Sequence, residues 1–127
     1  MNSVFLVNGC FDLFHIGHSL FLDFAKTEAE RLGCKLLVAV NDDLSVRNLK
    51  GAGRPIRCQE ERIAWVRNYG YNPILFDGDV EKLINNFHPV VVVRGYDQKI
   101  EPFLKHWLLA PKLADISTTE LLSKMGR

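Results

Sequence analysis

The sequence lacks the features that mark membrane-bound, secreted and nucleic-acid-binding proteins. No apolar run approaches the roughly 20 residues that a membrane-spanning helix needs. The first residues carry neither the basic segment nor the cleavage site of a signal peptide. The formal net charge is only +1, which gives no overall attraction to nucleic acid or to an acidic membrane. These absences predict a cytoplasmic protein without nucleic-acid or membrane partners.

Cysteine is also scarce. Cys10, Cys34 and Cys58 are widely spaced, odd in number and without a Cys-x-x-Cys pair. This usage is typical of reduced thiols in the cytosol rather than of a disulfide framework. The chain has 127 residues, of which 47% are hydrophobic, so we expect a single domain, residues 1–127, with one core.

Apolar stretches of strand length alternate along the chain with stretches of helical periodicity. The predicted strands cover residues 4–7, 36–40, 74–76, 90–93 and 107–109. The predicted helices cover residues 18–32, 42–47, 59–68, 79–87 and 118–124. The face of the first helix that we expect to contact the core comprises Phe21, Ala25, Ala29 and Leu32. This alternation predicts an α/β fold, Rossmann-like and doubly wound, with a mainly parallel five-stranded sheet and helices on both faces.

Three segments follow predicted strands of this sheet: residues 8–18, 41–54 and 94–99. Ligands of such sheets bind outside the carboxyl ends of the strands. We therefore expect the three segments to meet at one edge and to form the binding site.

Residues 8–18, Asn-Gly-Cys-Phe-Asp-Leu-Phe-His-Ile-Gly-His, are the most informative. His15 and His18 are three residues apart on the opening turn of a predicted helix, so their imidazoles should point to the same side. Free backbone N–H groups at a helix start attract anions, and Gly17 would let a phosphate approach closely. The segment therefore predicts a phosphate site with two imidazole donors. The dinucleotide Gly-x-Gly-x-x-Gly and the Walker loop are both missing.

Residues 9–18 resemble the pattern Gly-Cys/Thr-Phe-Asp-x-x-His-x-Gly-His of the cytidylyltransferase-like nucleotidyltransferases. The chain is most similar to their glycerol-3-phosphate cytidylyltransferase and heptose-phosphate adenylyltransferase group. The resemblance extends over residues 40–51, 54–56, 61–62, 77–84 and 93–97, and to the Ile-Ser-Thr-Thr at 116–119. It therefore covers nearly the whole chain.

The resemblance implies transfer of a nucleotidyl group from an NTP to a sugar phosphate or polyol phosphate, with release of pyrophosphate. It assigns catalysis to His15, His18 and Lys50, the last on a glycine-flanked loop, and substrate binding to Asp12 and Arg62. The residues that it assigns to nucleotide binding are Gly9, Cys10, Phe11, Gly17, Gly95, Asp97, Lys112, Ile116, Ser117, Thr118 and Thr119. It further implies Mg²⁺ bound with the NTP, no metal held by the protein itself, and a homodimer.

The choice of nucleotide stays open at this point. The heptose-type middle segment favours ATP, whereas the short chain and the Ile-Ser-Thr-Thr sequence also fit CTP. The family often has Arg-x-x-Gly before Ile-Ser-Thr-Thr, but this chain has Lys112 and Asp115 there. Lysine keeps the charge and loses the bidentate fork of arginine, so contacts to the base are the least defined part of the site.

Each assignment has a simpler alternative. Cys10 and the two histidines could form a zinc site, although a fourth ligand is missing from the pattern. Asp12 could orient a backbone turn, Lys50 could be a solvated surface charge, and Arg62 could pair with a carboxylate. The whole chain could also be a nucleotide-binding module that has lost turnover. His88 and His106 show no partner pattern, and we expect them to be structural.

Overall fold

The computed structural model describes residues 3–111, and five parallel strands form its sheet. The strands are β1 (Val4–Gly9), β2 (Lys35–Asn41), β3 (Pro73–Phe76), β4 (Val91–Arg94) and β5 (Trp107–Leu109). The helices are α1 (Ile16–Arg31), α2 (Asp43–Lys50), α3 (Gln59–Asn68) and α4 (Val80–Phe87). The sheet order is β3-β2-β1-β4-β5, and every pairing is parallel. The predicted α/β, Rossmann-like fold is confirmed.

Strand β1 is buried on both faces of the sheet. Phe5 and Val7 pack into one hydrophobic cluster with Leu22 of α1. Leu6, between them, packs into a second cluster with Leu83 of α4. Because successive side chains of a strand point to opposite faces, the apolar run of residues 4–7 in β1 fits a sheet covered by helices on both sides.

Two predictions about the helices are wrong. Lys50 is the last residue of α2, not part of a loop, because the helix continues past Arg47 and stops only where Gly51 adopts φ +94°. Leu32 was expected to contact the core, but it is 70% exposed because it is the C-cap residue, just beyond the end of α1. The buried face of α1 consists of Leu22, Ala25 and Ala29. The predicted helix 118–124 lies outside the described residues.

The order of the strands places a crevice above β1. From β1 the chain adds β2 and then β3 on one side, and it then crosses to the other side to form β4. The carboxyl ends of β1 and β4, at Gly9 and Arg94, therefore adjoin the point at which the winding reverses, where such sheets bind ligands. None of the helices within residues 3–111 is long and apolar enough to cross a membrane.

Candidate functional site

The loop between β1 and α1 has a constrained backbone. Phe11 and Leu13 adopt left-handed φ values of 53° and 52°, although neither is glycine. Both side chains are buried, and the ring of Phe11 would lie only 3.2 Å from a Cβ added at Gly9. Left-handed conformations at such residues cost about 1–3 kcal/mol each, so the surrounding contacts must hold this loop in place.

Asp12 anchors a second loop to the first. Its carboxylate accepts hydrogen bonds from Arg54 Nε at 2.9 Å and from the backbone N–H groups of Ile56 at 2.8 Å and Arg57 at 2.9 Å. Burial alone would raise the pKa of Asp12, but these hydrogen bonds and the charge of Arg54 outweigh it and hold the pKa below its usual value. The geometry supports the alternative in which Asp12 orients the backbone rather than contacts substrate.

His15 and His18 form a reciprocal cap at the start of α1. His15 is the N-cap residue, and its Nδ1 accepts from the N–H of Gly17 at 3.0 Å. The Nδ1 of His18 accepts from the N–H of His15 at 3.1 Å. The two rings are stacked with centroids 4.0 Å apart, which confirms that they lie on the same side. The N–H of Gly17 therefore donates to an imidazole. From the sequence, the N–H groups at this helix start were expected to be free.

This cap fixes the protonation state of both rings. An Nδ1 that accepts a hydrogen bond carries no proton, so the neutral ring carries its proton on Nε2. Burial is the main cause that lowers the pKa of His18 to about 3, and repulsion by Lys50 and by a protonated His15 adds to it. Burial also lowers the pKa of His15. At neutral pH each ring is therefore a neutral Nε2–H donor, and neither Nε2 makes a hydrogen bond to a residue within 3–111.

Cys10 lies in the same region as Lys50. Burial raises the pKa of the Cys10 thiol, against the opposing charges of Lys50 and Arg62. A thiol with a raised pKa is a poor nucleophile and a poor metal ligand at neutral pH. In the part of the chain that the structure describes, no group of three His, Cys, Asp or Glu side chains is arranged to hold a metal ion.

Arg62 has a different role from the predicted one. Its side chain is fully buried and donates to the carbonyl groups of Arg57 at 3.0 Å, Cys10 at 2.7 Å and Asn41 at 2.6 Å. It also forms an ion pair of 2.8 Å with Asp43. With no exposed surface, its guanidinium is placed to join α3 to the ends of β1 and β2 rather than to meet a phosphate. The ion-pair alternative is the one that the geometry supports.

The exit of β4 forms the other side of the crevice. The N–H of Gly95 donates to Gln98 Oε1 at 2.6 Å, and the side chain of Asp97 is exposed. Arg94 is 3% exposed and donates to Asn8 Oδ1 at 2.6 Å and to Glu101. Sequence reasoning missed the pairing of Arg94 with Asn8; the available signal was a charged residue ending an otherwise β-branched strand.

Two buried guanidinium nitrogens at this edge of the sheet have no hydrogen-bond partner among residues 3–111. They are Nη2 of Arg54 and Nε of Arg94. An unpartnered buried donor is costly, and such groups commonly serve water or a ligand. The three predicted loops are thus brought together, through Asp12 with Arg54 and Asn8 with Arg94. The remaining predicted site residues, Lys112, Ile116, Ser117, Thr118 and Thr119, lie outside the described residues.

Comparison with known sequences places these loops within a family match. Residues 6–107 match the family model described as cytidylyltransferase-like. The bifunctional protein HldE of Pseudomonas syringae is 40% identical over 101 residues, which cover 77% of this chain and 20% of that protein. The bifunctional protein HldE of Alcanivorax borkumensis is 33% identical over 141 residues, covering 96% of this chain and 27% of that protein. The chain thus spans only 20–27% of the length of these relatives.

Two solved structures resemble the fold. The lipopolysaccharide core biosynthesis protein from Thermoplasma volcanium has a TM-score of 0.72 and 25% identity, over 88% of this chain and 98% of its own. The macrolide-efflux protein from Streptococcus pneumoniae has a TM-score of 0.71 and 18% identity, over 96% of this chain and 50% of its own. The second likeness concerns the fold alone. The family match contains every described residue of the candidate site.

Proposed function

Because the chain belongs to the cytidylyltransferase-like family, we propose that it transfers a nucleotidyl group from an NTP to a phosphorylated small molecule and releases pyrophosphate. The observation that carries this proposal is the pair of stacked imidazoles at the start of α1, each a neutral Nε2–H donor. Two neutral donors at the positive end of a helix suit a polyphosphate, whose charge grows on the bridging oxygen as the bond to the leaving group breaks.

In the reaction, an oxygen of the acceptor's phosphate attacks the α-phosphorus of the NTP in line. The new bond joins that oxygen to the α-phosphorus, and the bond from the α-phosphorus to the oxygen of the β-phosphate breaks. Its electron pair leaves with pyrophosphate. The acceptor is already an anion, so the protein need supply neither a nucleophile nor a base. Its task is to bring two anions together and to stabilise the charge that develops between them.

His15 and His18 would stabilise the triphosphate in this scheme. A neutral Nε2–H donor does not lose its proton to the leaving oxygen, and its hydrogen bond strengthens as the charge on that oxygen grows. Lys50, at the end of α2, would add a positive charge beside the exposed loop that follows it. The largely buried guanidinium groups of Arg54 and Arg94 would add positive charge beneath the same edge.

Mg²⁺ would enter the site with the triphosphate and shield its charge. The carboxylate of Asp12 is committed to Arg54 and to the backbone of Ile56 and Arg57. The ion would therefore be held mainly by phosphate oxygens and water, as is usual for Mg²⁺ at nucleotide sites.

The acceptor that we propose is a sugar phosphate or a polyol phosphate, and the nucleotide is ATP or CTP. The resemblance of the middle segment, residues 40–51, to the heptose-type enzymes favours a sugar phosphate with ATP. A polyol phosphate with CTP is the variant to compare.

The deciding experiment is a pyrophosphate-release assay with Mg²⁺, in which each of the four NTPs is paired with a panel of sugar and polyol phosphates. We expect release with one purine or pyrimidine triphosphate well above the other three, and only when a phosphorylated acceptor is present. Unphosphorylated versions of the same acceptors are the matched control. Nucleotide binding without release for any pair would contradict turnover and leave a binding module.

A further inference from the structure

Two aromatic rings contact the imidazole of His18, and a third ring, from a distant part of the chain, packs against one of them. The ring centroid of Phe14 lies 5.2 Å from that of His18, and the ring of Phe11 meets His18 edge-on at 5.6 Å. Tyr69 in turn covers Phe14, with centroids 4.7 Å apart and planes inclined by 35°. We call Phe11, Phe14 and Tyr69 the aromatic support.

Tyr69 reaches this cluster from a distant part of the sequence. It is the C-cap residue of α3, whereas Phe14 belongs to the loop before α1. Its side chain is 58% exposed and so contributes little to the hydrophobic core. Its ring packs against that of Phe14. The support therefore connects a surface residue of α3, through one intervening ring, to the second histidine of the site.

We propose that Tyr69 and Phe14 are positioning residues for the reaction: they hold the His18 ring against His15 so that its Nε2–H stays directed at the triphosphate. This inference rests on the proposed function for its kinetic consequence, although the placement of the ring is measurable without it. The His18 ring stacks on that of His15, with centroids 4.0 Å apart, and also contacts the tilted ring of Phe14 at 5.2 Å. Contacts with two rings restrict the rotation of the imidazole about its side-chain bonds.

The support also shields His18 from water. Protonation of Nδ1 would break the hydrogen bond from the N–H of His15 and place a charge at the positive end of α1. Of the charged or titratable groups around the ring, His15 and Lys50 oppose its protonation and Asp12 favours it, while burial is the largest influence. Loss of the ring of Phe14 or Tyr69 would allow water to reach His18. The pKa of His18 would then rise towards its ordinary value of 6.5.

The test compares Tyr69→Ala with Tyr69→Phe, which keeps the ring and removes only the hydroxyl. Because Tyr69 is mostly exposed, both variants should fold, and circular dichroism with thermal unfolding would verify this. A third variant, Phe14→Leu, keeps apolar bulk beside His18 and removes the ring. For each protein, pyrophosphate release gives kcat and KM, and an NMR titration of the histidine ring protons gives the pKa of His18.

We expect Tyr69→Ala to lower kcat by about three- to tenfold, the range corresponding to the loss of one aromatic pair. The KM for the NTP should change less than twofold, and the pKa of His18 should rise. Tyr69→Phe should match the unmodified protein in all three quantities. Phe14→Leu should lower kcat at least as much as Tyr69→Ala, because the removed ring touches His18 directly.

Two results would overturn the inference. One is an unchanged kcat, pKa and chemical shift of His18 in folded Tyr69→Ala. The other is an equal loss in Tyr69→Phe, which would make the hydroxyl the acting group. If the unmodified protein released no pyrophosphate with any substrate pair, the proposed function would fail. The NMR titration would then still decide whether the rings place His18.

Discussion

The start of α1 differs from the starts of the other three helices within residues 3–111. Helices α2 and α4 are capped by Asp42 and Asp79, whose carboxylates accept from backbone N–H groups at 2.8 and 3.0 Å. Helix α3 has no side-chain cap but carries Glu60 and Glu61 in its first turn. Helix α1 is capped by two neutral imidazoles and has no acidic residue in its first turn.

Under the proposed function, this difference separates helix starts that serve stability from one that serves binding. A carboxylate at a helix start neutralises the positive end of the dipole and satisfies free N–H groups. An imidazole with an accepting Nδ1 satisfies the N–H groups without adding negative charge. It therefore caps the helix and leaves the positive end available to an anionic ligand. The four predictions below test this contrast, from the largest expected effect to the smallest.

Removal of either imidazole should have the largest effect. We expect His15→Ala and His18→Ala each to lower turnover by about 10²–10³, the scale for loss of one preorganised donor. NTP affinity should fall much less, because the hydrogen bond strengthens only as charge develops. Steady-state pyrophosphate release is the measurement, with circular dichroism to verify folding. The exposed residues His88 and His106 supply the controls His88→Ala and His106→Ala. Turnover like that of the unmodified protein in both active-site variants would contradict the mechanism.

A buried neutral histidine should also make stability depend on pH. The pKa of His18 is about 3 in the folded protein, against an ordinary value of 6.5. Between these values the unfolded chain binds the extra proton, so the free energy of unfolding falls as the pH drops from 7 to 5. For one histidine the loss is at most about 2 kcal/mol, and partial solvation of the ring should reduce it to about 1 kcal/mol.

Urea unfolding of the unmodified protein and of His18→Asn, at pH 7 and pH 5, measures this effect. Asparagine offers an oxygen acceptor at the same cap but does not titrate. The variant should therefore lose less stability than the unmodified protein on going to pH 5. Equal losses in the two proteins would show that His18 is not held neutral by the fold.

Addition of a carboxylate to the first turn of α1 should make this helix start resemble the acidic starts of the other helices. Ile16 is the first residue of α1 and is 63% exposed, so Ile16→Asp should be accommodated. The new charge should stabilise the helix by about 0.3–1 kcal/mol and at the same time repel the triphosphate. We expect the KM for the NTP to rise about five- to tenfold, and the effect to shrink at high salt.

Ile16→Asn is the matched control, because it has the same shape without the charge. Unfolding by heat and the KM at two salt concentrations are the measurements. An equal rise in KM for both variants would trace the effect to the lost isoleucine rather than to charge.

Removal of a structural cap should have the smallest effect, confined to stability. Asp79→Ala should lower the free energy of unfolding by about 1 kcal/mol, because the N–H of Lys82 loses its acceptor. Turnover per folded molecule should not change, since α4 packs through Leu83 into the cluster on the face of the sheet opposite to α1. Asp79→Asn, which can still cap the helix, should lose less stability. A loss of turnover in Asp79→Ala at temperatures where it is fully folded would remove the distinction between the two kinds of helix start.

Periodicity and turn residues predicted most of the fold. The bounds of α3 and β5 agree with the prediction residue for residue, because Asn68 is followed by a Tyr-Gly turn and Trp107–Leu109 is a short apolar run. The meeting of the three loops followed from the rule that parallel strands end at one edge. The end of α2 was missed because local composition favours a loop from Lys50, whereas the helix stops at the positive φ of Gly51.

Motifs were a weaker guide to which side chains face the ligand and which stabilise the site. Asp12 and Arg62 were predicted to bind substrate, yet both form hydrogen bonds with other loops of the protein, up to 52 residues away in the sequence. Motif spacing identifies such residues but does not reveal their partners, because those partners come from other elements. The contact of Tyr69 with Phe14 was invisible for the same reason.

The burial of Arg62 couples assembly of the site to completion of the sheet. Its acceptors lie on three separate segments: Cys10 after β1, Asn41 at the end of β2, and Arg57 before α3. A fully desolvated guanidinium is tolerable only when all of these acceptors are present, so partial opening of any one segment leaves a buried charge unsatisfied. Local fluctuations at this edge are therefore suppressed, and the backbone amides around it should exchange with solvent only in large-scale opening events. His15 and His18 thus follow a segment, at Cys10, that we expect to open only together with the segments at Asn41 and Arg57.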